Sequence, residues 1–163
     1  MSHVAGIVKR IHRELADLER VLARAKRAWS HAPTSADPDM YADSVALNLQ
    51  GLYTGLERVF EQIARQLDNR MPAGKSWHLE LLRQMRTSVP AVRPAVIGDT
   101  SFACLDELRR FRHVVRNVYA TNLNPKKLGD LMDGITRCWP LVRAELLAFA
   151  DFLDTLEENE NTP

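Results

Sequence analysis

Apolar residues recur at three- and four-residue steps along most of this chain, and that periodicity constrains its fold more than any other feature. It is clearest at Val45, Leu49, Leu52, Leu56, Val59, Ile63 and Leu67. On a helix turning about 100° per residue, these positions form one apolar stripe, which has to be buried against another long helix. No segment alternates apolar and polar residues over a useful strand length. No internal repeat of about 20–50 residues is present.

The same steps predict a helix from Val4 to Trp29, then the loop His31–Asp37 (HAPTSAD). Asp37 before Pro38 predicts a capped start for the second helix, which runs to about Asp68. A shorter helix is expected over Ser76–Thr87, with Trp77, Leu81, Leu82 and Met85 inward. Ser88–Gly98, with Pro90 and Pro94, reads as a connection. The fourth helix starts near Asp99, Thr100 or Ser101 and runs to about Tyr119. Asn124–Pro125 repeats the cap-then-proline start. The last stripe holds Leu128, Leu131, Ile135, Trp139, Val142, Leu146, Phe149 and Leu153, with Pro140 expected to kink or divide the helix. The acidic tail Glu157–Pro163 is expected to fray. The fold predicted is all-α: one domain over residues 1–163, an antiparallel up-and-down bundle of about five helices.

A net charge of +1 excludes a general polycation, so any nucleic-acid site must come from local clustering. The N-terminus has no uninterrupted apolar segment of the signal-peptide kind. No window approaches the roughly 20 apolar residues of a membrane span. The expected location is the cytoplasm, with no membrane partner. Cys104 and Cys138 are too few for a disulfide framework or zinc site, and both are expected as reduced core residues. Gly74-Lys75-Ser76 resembles the end of a phosphate-binding loop, but position 69 is Asn and no strand precedes it. None of the five histidines makes an i, i+4 pair around a Glu, so neither metal nor cofactor is expected.

One segment departs from routine: Leu108–Tyr119, LRRFRHVVRNVY. On a helical wheel Leu108, Phe111, Val114, Val115 and Val118 share an apolar arc. Arg112, Arg116, Arg109, His113, Asn117 and Arg110 fill the opposite arc, and Tyr119 lies almost directly below Arg112. Four guanidiniums on one face repel one another and need solvent, carboxylates or an external anion. Arg offers phosphate a planar fork of donors, His moves protons near neutrality, and Tyr can stack on a base. That set suits RNA cleavage by a 2′-hydroxyl, which needs charge stabilisation and proton transfer but no metal. A solvated helix face, with Asp106 paired to Arg109 or Arg110, accounts for the same spacing.

The segment also resembles the HepT-like ribonuclease toxins of the HEPN superfamily. Their signature is an Arg, often followed by a polar residue, a His five positions after the Arg, and a Tyr two positions later. Arg112-His113 matches the opening and Tyr119 the end. Leu52–Ala64 (LYTGLERVFEQIA) and Gly74–Met85 (GKSWHLELLRQM) are similar to stretches of the same branch, so the resemblance covers most of the chain from the second helix onward. It implies a dimerising helical bundle that cuts RNA without metal, paired with a small nucleotidyltransferase antitoxin that in some systems adenylylates the motif Tyr. Arg112 is then the residue at the scissile phosphate, Arg109, Arg116 and Arg110 are RNA-binding, and Tyr119 is the modified residue.

The departure is Asn117, which stands at the family His. An amide cannot act as general acid or base near neutral pH. Three readings follow: a weak or inactive nuclease, His113 supplying the titrating group, or a substitution introduced to silence a toxic protein. A different class of function also fits: a non-catalytic helical subunit that binds substrate for a minimal nucleotidyltransferase.

Overall fold

The computed structural model describes residues 3–117 and 123–162. Five α-helices carry most of them: α1 (His3–His31), α2 (Pro38–Gln66), α3 (Trp77–Arg86), α4 (Asp99–Asn117) and α5 (Pro125–Glu160). A single 3-10 turn, Ala32–Thr34, occupies part of the expected first loop. Among the described residues there is no strand, only an isolated antiparallel bridge between Val89 and Arg93. The fold is all-α, as the periodicity requires.

Side-chain contacts fix how the helices run. Arg10 donates to Gln62 at 3.1 Å near one end of α1 and α2, and His31 stacks on Tyr41 at the other, so the two are antiparallel. Glu157 accepts from the Ala5 amide, while the Trp139 indole donates to Glu19, which sets α5 antiparallel to α1. Glu145 of α5 accepts from the Gly98 amide and the Ser101 hydroxyl, placing a carboxylate at the N-terminus of α4, where the helix dipole favours it.

The predicted stripes form the core. Ile7, Ile11, Leu15, Leu18 and Leu22 of α1 meet Val45, Leu49, Leu52, Leu56, Val59 and Ile63 of α2, all buried. Contact is close at Gly55, where an added Cβ would lie 2.6 Å from Leu18 Cδ2. Leu81, Leu82 and Met85 of α3 are buried, as are Ile135, Trp139, Val142, Leu146 and Leu153 of α5.

Three details differ from expectation. Pro140 does not divide α5, which is one helix of 36 residues. Pro140 and Thr136 are both exposed, so water can take the hydrogen bond that the Thr136 carbonyl loses. The Asp37 carboxylate makes no capping bond, although Pro38 does open α2. The Asn124 cap, by contrast, accepts from Lys126 and Lys127. Helix α5 also continues to Glu160, into the segment where fraying was expected.

The largest correction concerns the cysteines. Cys104 and Cys138 are joined by a disulfide across α4 and α5, with their Cα atoms 6.6 Å apart. Each cysteine lies in a helical pattern, but the spacing of one helix says nothing about which residue of another it faces. Antiparallel packing brings these two within bonding reach.

Helix α3 is short and is held from outside its own length. Gly74, at φ +91°, turns the chain just before it. Beyond its far end, Arg93 donates to both oxygens of Asp68, at 2.6 and 2.7 Å, and to the carbonyls of Thr87, Pro94 and Gln84. Gln84 of α3 donates to the same carboxylate at 2.7 Å. Asp68 and Arg93 have side chains only 2% and 0% exposed, so this is a dry clasp between the end of α2 and the α3–α4 connection.

Candidate anion-binding site

Holding α3 against α2 and α4 leaves a cleft between α3 and the C-terminal half of α4. It has a volume of about 520 Å³ and is lined by Lys75, Ser76, His78, Leu79, Arg109, Arg112, His113 and Arg116. Four cations and two imidazoles converge there without a carboxylate among the lining residues. Coulomb repulsion disfavours that arrangement unless anions lie behind it or arrive from solution.

Two anions lie behind it, both buried. Asp106 accepts from Arg109 at 2.9 Å and pairs with Arg110 at 2.8 Å. Glu57, of α2, accepts from Nδ1 of His78 at 2.6 Å, and its other oxygen is 3.7 Å from Nη1 of Arg112. The side chains of Arg109 and Arg112 are 19% and 16% exposed, so both are anchored from beneath and still reach the cleft. Among the described residues, Lys75 and Arg116 have no carboxylate partner. The cleft can therefore hold an anion with several charges, and the guanidinium forks favour phosphate.

Tyr53 is buried below the same cluster. Its phenol is pushed well above the usual tyrosine range, first by burial and then by the nearby Glu57 carboxylate; Arg109 and Arg112 act weakly the other way. Trp77 packs on His78, with ring centroids 3.6 Å apart, and limits the motion of the imidazole.

The structure brings together Arg109, Arg112, His113 and Arg116 of the expected face. It separates Arg110, which lines a different, mainly apolar groove between α4 and α5 and pairs with Asp106 and Glu107. On the wheel Arg110 sits at the far edge of the polar arc, beyond His113, and that edge turns toward α5. Val114 of the apolar arc also opens onto this groove and is 53% exposed. Tyr119 and the side chain of Asn117 lie outside the described residues.

Sequence reasoning missed Glu57, His78 and Lys75. The trace of Glu57 is visible in hindsight: Ala46, Tyr53, Phe60 and Ala64 form a second buried stripe on α2, and Glu57 is the one acidic residue in it. A carboxylate on an apolar stripe has to have a buried cation or donor opposite it.

A sequence profile described as HepT-like protein matches residues 44–153. The chain belongs to the HepT-like family of the HEPN superfamily. The match runs from α2 through most of α5 and so includes every lining residue of the cleft. HepT-like proteins are of a toxin–antitoxin kind. No curated protein and no solved structure matches the chain. Among the described residues, no helix is long and apolar enough to cross a membrane, and no group of three or more His, Cys, Asp or Glu is placed to hold a metal ion.

Proposed function

We propose that this HepT-like chain is a metal-independent endoribonuclease toxin and that RNA lies across the cleft between α3 and α4. The observation that carries this reading is the convergence of Lys75, Arg109, Arg112 and Arg116 on one cavity whose compensating carboxylates are buried behind it. Arg112 binds the scissile phosphate and stabilises the charge that grows on it, while Arg109 and Arg116 hold flanking phosphates. His113 and the residue at 117 stand on the same helix beside them.

The partner in this reading is a cytoplasmic nucleotidyltransferase antitoxin. It transfers AMP to Tyr119: the phenol oxygen bonds to the α-phosphorus of ATP, pyrophosphate leaves, and the phenolic proton passes to solvent. The added phosphate would occupy the anion site beside Arg112 and Arg116. The apolar groove between α4 and α5, where Val114 and Leu141 are exposed, supports pairing of two copies at the motif helices.

Asn117 favours a second reading, a binding subunit for such a nucleotidyltransferase, because binding needs no titrating group at that position. RNA cleavage in the presence of a chelator separates the two. The Asn117→His protein is expected to cut single-stranded RNA and arrest growth, and Arg112→Ala in that background to abolish both. RNA left intact by both the wild type and the Asn117→His protein would refute the nuclease reading.

A further inference from the structure

The position that should carry the proton chemistry holds an amide, yet the cleft contains a second imidazole on a different helix. His78 is on the first turn of α3 and has a 28% exposed side chain that lines the cleft with Arg112. Its Nδ1 is 2.6 Å from a Glu57 oxygen, and the Glu57 side chain is 5% exposed. A buried carboxylate at Nδ1 selects the tautomer with the proton on Nδ1 and leaves the Nε2 lone pair available. The same carboxylate stabilises the imidazolium that forms when Nε2 takes a proton, as a carboxylate does behind a catalytic His. Trp77 restricts the ring from one side. His113, by contrast, belongs to an exposed position on α4.

We propose that His78, oriented by Glu57, is the general base of this site, acting on the 2′-hydroxyl of an RNA strand whose phosphate is held by Arg112. The proposal rests on the ribonuclease reading and places its proton transfer on α3 instead of at position 117. Nε2 of neutral His78 takes the 2′-hydroxyl proton as the 2′-oxygen bonds to the adjacent phosphorus. The bond from phosphorus to the 5′-oxygen breaks, and that oxygen takes a proton from water. The products are a 2′,3′-cyclic phosphate and a 5′-hydroxyl, and the imidazolium returns its proton to solvent. Glu57 is a positioning residue: it aims the imidazole and, at 3.7 Å, also faces Arg112, so one carboxylate sets both the base and the phosphate clamp. The charged and titratable groups around His78 are Glu57 from α2, Lys75 from the turn before α3, and Arg109, Arg112, His113 and Arg116 from α4.

The experiment measures cleavage of a single-stranded RNA oligonucleotide in chelator, with binding followed by fluorescence anisotropy and folding by circular dichroism. The proteins are wild type, His78→Ala, His78→Gln, Glu57→Gln, His113→Ala and Asn117→His. The wild type is expected to leave a 2′,3′-cyclic phosphate. Both His78 variants are expected to lose about 10²–10⁴-fold in rate with RNA affinity nearly unchanged, and added imidazole to restore part of the rate to His78→Ala. His113→Ala is expected to slow cleavage far less than His78→Gln does. Glu57→Gln is expected to lower kcat with KM nearly unchanged, because the imidazole loses the carboxylate that aims it. If wild type cleaves and folded His78→Gln cleaves equally well, the assignment of His78 is wrong and the nuclease reading stands. Cleavage by Asn117→His but not by wild type likewise overturns His78 as the base and leaves the nuclease reading standing. If neither protein cleaves, both fail.

Discussion

Replacing Arg93 by Ala is expected to cost about 4 kcal/mol of folding stability. The side chain is fully buried and donates twice to Asp68 and once each to the carbonyls of Thr87, Pro94 and Gln84. Removing one partner of a buried ion pair leaves the other charge uncompensated, which costs about 3–5 kcal/mol. The orphaned carbonyls do not add fully to that figure, because the vacated guanidinium volume admits water. Gln84 still donates to Asp68 and keeps the loss from the top of the range. For a domain stable by about 5–15 kcal/mol, this is a large fraction of the total. In urea denaturation, with a slope of about 2 kcal/mol per molar, the midpoint should fall by about 2 M and the slope should stay unchanged. Hydrogen exchange should quicken first in α3, the helix that the clasp holds and that carries His78. The double variant Arg93→Met with Asp68→Leu should recover most of the loss, since no charge is then stranded. A loss below about 1 kcal/mol for Arg93→Ala would refute the dry clasp.

Three further perturbations test other parts of the account. The Tyr53 phenol titrates above its unfolded value of about 10, so its contribution is complete below that pH and is lost as pH rises further, by up to about 1.4 kcal/mol per unit; urea midpoints of wild type and Tyr53→Phe should diverge only in that alkaline range. Reducing the Cys104–Cys138 bond opens a loop of 34 residues and should lower stability by about 4 kcal/mol on loop entropy; thiol titration of the unreduced unfolded protein should find none, and finding two would contradict the pairing. Ala91 sits at φ +63° as the third residue of a turn in which Val92 donates to Val89, a position suited to Gly; Ala91→Gly should raise stability by about 0.5–1 kcal/mol, and a clear loss would contradict the turn.

The apolar stripes of α2 and α5 carry the helical fold, because burial of a face depends on residue type and step alone. The Arg face of α4 was legible for the same reason. What lies opposite each face was not. Glu57 lies on an apolar stripe of α2, but that stripe does not say that α3 places His78 over it, and Cys104 reads as a core residue until antiparallel packing sets it against Cys138. Arg110 belongs to the polar arc on paper, yet its place at the edge turns it toward α5. These are facts of register between helices, which one chain's periodicity does not encode. Gly74-Lys75-Ser76 lacks the spacing of a nucleotide loop, yet it places Lys75 and Ser76 at the cleft.

The central claim is that the cleft between α3 and α4 binds RNA phosphates, and its most direct test is the salt dependence of single-stranded RNA binding. Four cations line the cleft. With about 0.7 counterions released per neutralised phosphate, the logarithm of affinity should fall against the logarithm of salt with a slope of about −3 between about 50 and about 200 mM. Removing two of those cations, Arg112→Ala with Arg116→Ala, should reduce the slope to about −1.5 and weaken binding to all sequences alike. A slope unchanged by that double substitution, or no binding by the wild type at low salt, would contradict the claim.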